Sequence, residues 1–115
     1  MSHRKLTVCV DLNGVLDKFS GWTGKYEDYP VREDAADLLA GLQALQYRVV
    51  VFTARTNLEG VNNWLSENEL EQYVDEVTNI KPPAHVYIDD RAIQFNGDVH
   101  DVLKQIIAFK PHWQK

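Results

Sequence analysis

One cysteine, Cys9, in 115 residues excludes an internal disulfide. A lone thiol inside an apolar run is ordinary packing chemistry, and a chain that needs no disulfide fits a reducing, cytoplasmic compartment. Long apolar runs are missing as well. No stretch approaches the ~20 residues of a membrane span, and the first residues lack the apolar core of a signal peptide. Positive charge is sparse: 12 Lys and Arg against 17 Asp and Glu give a net charge of −5. No Lys/Arg cluster offers a patch for nucleic acid or for an anionic membrane surface. No repeat, low-complexity tract or linker interrupts the chain. His3, His85, His100 and His112 share no ligand-like spacing, which argues against a zinc or histidine-based site.

What is present is ordinary in amount: 44% hydrophobic and 25% charged residues, the profile of a globular protein. A chain of this length reads as one domain, residues 1–115, that buries roughly two thirds of its unfolded surface in a single core. The organising stretch is residues 6–17, LTVCVDLNGVLD. Its Val-rich run, residues 6–10, is too short for a helix and reads as a strand buried on both faces. It breaks off in Asp11, Leu12, Asn13 and Gly14, where glycine permits a tight turn. A carboxylate at that end of a strand stands at the mouth of an α/β sheet, where ligands bind.

Residues 18–30 carry two glycines, four aromatics and a closing proline, and read as an irregular loop or small hairpin. Trp22, Tyr26 and Tyr29 are placed either to flank a substrate or to pack this loop down. Helical periodicity follows over residues 31–46, through Ala35, Leu38, Leu39, Leu42 and Leu45. A buried strand at 47–52 ends in Thr53, Ala54 and Arg55. A second helix spans 57 to about 73, with Asn57 suited to its start. A short strand at 74–79 leads to Ile80-Lys81-Pro82-Pro83, where the prolines exclude a helix and hold Lys81 extended. A strand at 84–88 ends in Asp89, Asp90 and Arg91; residues 92–97 form a connection or short edge strand. A last helix runs from Asp98 to about Phe109 and stops at Pro111. Strands alternating with helices predict right-handed βαβ units, a mostly parallel sheet and helices on both faces.

Parallel strands present their C-terminal ends on one edge, so Asp11 and Asn13, Thr53 and Arg55, and Asp89 and Asp90 should meet there, with Lys81 beside them. Three carboxylates crowded together repel one another unless a cation joins them. An all-oxygen set favours a hard ion, and Mg²⁺ commonly combines one or two carboxylates with water and a substrate phosphate. Thr53 offers a neutral donor and Lys81 a point positive charge to phosphoryl oxygens. A carboxylate can also act as a nucleophile at phosphorus.

Asp11-Leu-Asn-Gly-Val-Leu-Asp17, Val49-Val-Val-Phe-Thr53, Lys81-Pro82 and Val86-Tyr-Ile-Asp89-Asp90 together resemble, in order, the four motifs of the haloacid dehalogenase-like (HAD) superfamily. The resemblance covers residues 6–90. It implies a Rossmann-like, three-layer α/β/α fold and Mg²⁺-dependent hydrolysis of a small phosphate monoester through an aspartyl-phosphate. Carried over, Asp11 is nucleophile and metal ligand, and Asn13 lends its backbone carbonyl to the metal. Thr53, Ala54, Arg55 and Lys81 are expected around the phosphoryl group and the substrate, and Asp89 and Asp90 complete the metal site. Residues 18–30 are short, and no room follows Thr53 for an inserted domain, so the chain reads as a capless member. An open site of this kind suits a large substrate or cover from a homo-oligomer partner.

Asn13 departs from the family pattern, which places a second Asp there as general acid and base. An amide can neither protonate a leaving alkoxide nor deprotonate water. Three readings follow: a slow phosphatase for good leaving groups, a module that binds phosphorylated ligands or partners without turnover, or a substitution that traps substrate. A flavodoxin-like receiver uses similar residues but places its acidic pair near the first strand and its acceptor on the third. Arg91 is expected to pair with the local acids and Asp17 to cap or brace the loop.

Overall fold

A computed structural model describes residues 5–25 and 27–114. The elements, in order, are β1 (Thr7–Asp11), α1 (Ala35–Ala44), β2 (Arg48–Phe52), α2 (Leu58–Glu67), β3 (Glu76–Thr78), β4 (Val86–Ile88) and α3 (Val99–Ala108), with short 3₁₀ turns at Glu71–Tyr73 and His112–Gln114. The four strands form one sheet in the order β3-β2-β1-β4, and every pair is parallel. The α/β, Rossmann-like class without a cap is therefore the one observed.

The side-chain period of two divides the sheet. Val8 and Val10 of β1 lie level with Val49 and Val51 of β2. These four join Ala35 and Leu39 of α1 and Val61, Trp64 and Leu65 of α2 in one buried cluster. Alternate residues, Cys9 and Asp11 with Val50 and Phe52, face the other way. Asp11 thus ends β1 on the side opposite the main core. Burying the Val, Leu and Trp side chains stabilises the sheet by about 1.5–3 kcal/mol each, which holds the strand ends in place.

Local chemistry sets the boundaries. Residues 31–34 lie outside α1 because Val31 bridges antiparallel to Asp17, with Lys18 N–H on Pro30 O at 2.8 Å and Arg32 N–H on Leu16 O at 2.9 Å. That small pairing closes the loop at 18–30; Tyr26 lies outside the described residues. Helix α2 begins as expected, with Asn57 Oδ1 accepting from Gly60 N–H at 3.0 Å. It ends before the expected position because Glu69 adopts φ 60°, a left-handed conformation that no helix continues through. Asp98 caps α3 by accepting from Asp101 N–H at 3.1 Å. Residues 92–97 contain no strand, and α3 buries none of its residues.

Candidate functional site

Asp11, Asp89 and Asp90 converge from the ends of β1 and β4, neighbouring strands whose register pairs Val10 with Ile88. One carboxylate oxygen of each lies within 4.8 Å of the others. Asp11 and Asp90 are half-buried and Asp89 is exposed. Burial, contact with the Asp90 carboxyl, and the charges of Asp89 and Asp90 push the Asp11 carboxyl up to about 9, with Arg91 pulling weakly the other way. A second sign of unmet charge sits on Asp90. Its Oδ2 accepts Trp113 Nε1–H at 2.6 Å, whereas Oδ1 is buried with no donor among the described residues. Oδ1 can be satisfied by a proton on Asp11 or by a cation between the carboxylates. Three converging carboxylates and an orphaned buried oxygen are a donor set that suits a hard divalent ion.

The loop after β1 is shaped by Asp17, which is 2% exposed. Its Oδ1 accepts Gly14 N–H at 2.9 Å and Phe19 N–H at 3.1 Å, and its Oδ2 accepts Asn13 Nδ2–H at 2.6 Å. Burial raises the Asp17 carboxyl while these three donors lower it, and burial is the larger influence. Asp17 is thus the brace that turns residues 12–16 back under the strand end. Gly14, at φ 87°, is needed twice over. That angle disfavours any side chain, and a Cβ there would lie 2.1 Å from Asp90 Oδ2.

Two cavities border Asp11. The larger, about 800 Å³, brings Lys81 to the same wall as Asp11 and Asp89, together with Cys9, His85 and Tyr87. The Lys81 ammonium stands 4.6 Å from the Tyr87 ring centroid, and Tyr87 Oη donates to Pro82 O at 2.6 Å, so the strand fixes the Lys-Pro turn. Cys9 also lines this cavity, but burial and then the Asp11 charge push its thiol up, so it stays protonated as a packing residue. The smaller cavity, about 280 Å³, is floored by Asp11, Asn13 and Asp89 and walled by Phe19, Trp22, Lys25, Ala54 and Arg91.

The other expected residues divide. Thr53 reaches the same sheet edge and is buried, with Oγ1 accepting Arg55 N–H at 3.1 Å. Arg55 reaches away, its Nη1 bonding Asp28 Oδ1 at 2.9 Å, and so ties loop 18–30 to the end of β2. Trp22 lines the smaller cavity, whereas Tyr29 packs edge-on to Phe19 with ring centroids 5.2 Å apart. Arg91 donates its backbone N–H to Asp89 Oδ1 at 2.7 Å, and its guanidinium lies 5.9 Å from the Phe19 ring centroid.

Sequence reasoning missed Lys25 in the cavity wall and the return of the C-terminus. After α3, Pro111 is buried, His112 Nε2 lies 2.5 Å from Gly14 O, and the Trp113 ring packs edge-on to Phe19 at 5.1 Å. No periodicity announces this contact. The only local hint is an aromatic pair following a proline.

No protein-family model matches the chain, and no curated protein matches it. Among solved structures, it is similar to one described as the structure of a conserved protein from Bacteroides thetaiotaomicron, at 20% identity and a TM-score of 0.61, over 93% of each chain. That likeness is to the fold alone.

Proposed function

We propose that the chain is a capless, HAD-like phosphohydrolase that cleaves a small phosphate monoester with Mg²⁺ and Asp11. The observation that carries this reading is the meeting of Asp11, Asp89 and Asp90 within 4.8 Å, with Lys81 lining the same cavity as Asp11 and Asp89. Asp11, Asp89 and Asp90 would hold the ion, with the Asn13 backbone carbonyl as a further oxygen. The bound Mg²⁺ would neutralise carboxylate charge and polarise the phosphoryl oxygens.

The protein's own residues do the rest. A carboxylate oxygen of Asp11 bonds to phosphorus as the ester P–O bond breaks, leaving an alkoxide or phenoxide and an aspartyl-phosphate. Lys81 draws the phosphoryl oxygens toward the triad, and Thr53, buried at the end of β2, sets the height of the Thr53–Arg55 turn beneath them. Water then attacks phosphorus, returning the Asp11 carboxylate and releasing phosphate. Asn13 cannot supply the proton the leaving group needs. Its amide is committed to Asp17 Oδ2, so solvent provides that proton and good leaving groups are favoured.

A second reading rests on that same hydrogen bond. With no general acid at residue 13, the pocket would hold a phosphorylated ligand or partner and turn it over rarely. Phosphate release from an aryl phosphate, with and without a chelator, separates the two. The phosphohydrolase reading expects release that stops on chelation and resumes with added Mg²⁺. Binding of inorganic phosphate with no Mg²⁺-dependent release favours the second. Release indifferent to the chelator contradicts the first.

A further inference from the structure

We propose that Trp113 is a positioning residue for the metal site, fixing the Asp90 carboxylate so that one of its oxygens is kept for the cation. The inference rests on the metal-site reading above and adds a residue that no strand-end motif contains. Trp113 Nε1–H donates to Asp90 Oδ2 at 2.6 Å from 23 residues further along the chain. The other oxygen, Oδ1, is buried and has no donor among the described residues. One oxygen is therefore tied down and the other is left with open acceptor capacity beside Asp11 and Asp89.

The chemistry of the donor matters. An indole N–H can only donate and carries no charge. It orients the carboxylate without neutralising it, so the full negative charge stays available to a cation. A Lys or Arg in the same place would compete with the ion for Asp90.

The indole and the turn that carries it are themselves held in place. Its ring packs edge-on to Phe19, with centroids 5.1 Å apart and planes at 75°. His112 Nε2 lies 2.5 Å from Gly14 O, and buried Pro111 sets the turn between α3 and the indole. Gly14 completes the seat, because a Cβ there would lie 2.1 Å from Asp90 Oδ2 and 3.1 Å from Trp113 Nε1. The glycine after β1, the second aspartate after β4 and the C-terminal turn thus form one contact. Groups that orient metal ligands commonly contribute 10–100-fold to metal affinity.

The test compares the full chain with Trp113→Phe, which keeps a ring against Phe19 and removes only the N–H. Mn²⁺ binding is followed by the loss of the free-ion electron spin resonance signal, and Mg²⁺ binding by competition. The expected result is a Kd weakened by about 10–100-fold with the thermal midpoint unchanged. The Mg²⁺ concentration giving half-maximal phosphate release should rise in parallel, while kcat at saturating Mg²⁺ is retained. An unchanged Kd in Trp113→Phe overturns this inference alone. Absence of Mn²⁺ binding by the unmodified chain overturns the metal-site reading and this inference with it. Should Trp113→Phe fail to fold, the unmodified chain still reports on the bond. The Trp113 indole N–H resonance, assigned through its proximity to Phe19, should shift with the same midpoint as metal binding, and a resonance that does not move overturns the inference.

Discussion

Replacing Asn13 by Asp is expected to raise kcat for an alkyl phosphate by about 10²–10⁴-fold, the usual contribution of general acid–base catalysis. The structure gives a specific reason why a proton would be held between the new carboxyl and its neighbour. Asn13 Nδ2 now donates to Asp17 Oδ2 at 2.6 Å, in a loop where Asp17 is almost fully buried. An aspartate in the same position can keep that contact only if one of the two carboxyls is protonated, because two charged ones repel at this distance. Asp17 accepts the backbone N–H groups of Gly14 and Phe19, which favour its charged form, while its burial favours the neutral form more strongly. One proton is therefore shared between the two carboxyls, and the new residue lines the smaller cavity beside Asp11, where it can pass that proton to a leaving group. The gain should be large for alkyl esters and small for aryl esters, whose leaving groups need little protonation. Steady-state phosphate release from one substrate of each kind measures this directly. No gain with either substrate would favour the ligand-binding reading.

The second large effect is at Asp11. Asp11→Asn should lower Mg²⁺-dependent phosphate release by on the order of 10³-fold or more, since deleting a nucleophile costs other enzymes at least this much. The same change should alter stability in a pH-dependent way. In the cation-free fold the Asp11 carboxyl is pushed from 3.8 up to about 9, chiefly by burial. The unfolded chain thus loses this proton near pH 4, while the folded chain keeps it until about pH 9. Between those values the folded state binds more protons, so stability falls as pH rises. Thermal unfolding in chelator should therefore show a midpoint that drops from acid to mildly alkaline pH in the unmodified chain. Asp11→Asn should flatten most of that drop and be the more stable form at about pH 8. A residual slope is expected from Asp17, whose carboxyl is also raised by burial. Added Mg²⁺ should restore the unmodified chain most at high pH, where binding no longer has to displace the proton. A midpoint that rises with pH in chelator would contradict this electrostatic picture.

These two residues also show how much was readable beforehand. Asp11, Asp89 and Asp90 were legible because they stand at or just past the end of a strand, and parallel pairing converts that sequence position directly into a place on one edge. Lys81 was legible for a related reason, since its prolines forbid a helix between β3 and β4 and keep it near the strand it precedes. The end of α2 was less so. Glu69 takes a left-handed φ with a residue that carries no glycine signal, and the apolar pattern runs on past it to Leu70 and Tyr73.

Arg55 illustrates a different limit. Its position after Thr53 suggested a substrate contact, but a long side chain can reach several partners, and here it finds Asp28 across the loop. The role of Asp17 as a brace followed from the turn chemistry of residues 12–17. The three hydrogen bonds that define it depend on how the loop curls, which spacing does not reveal. Least visible was the contact of Trp113 with Asp90. It joins residues separated by a helix with no buried side chain, so nothing in the hydrophobic pattern connects them.

The central claim is that Asp11 accepts the phosphoryl group. The measurement closest to it is an acid quench of the Asn13-containing chain during turnover of an aryl phosphate with Mg²⁺, followed by mass analysis of the peptide spanning residues 5–18. Without a general base to activate water, hydrolysis of the intermediate should be slow and the covalent adduct should accumulate. The expected result is the added mass of one phosphoryl group on Asp11, labile to hydroxylamine and absent when Mg²⁺ is removed. Turnover with no adduct, persisting undiminished in Asp11→Asn, would contradict it.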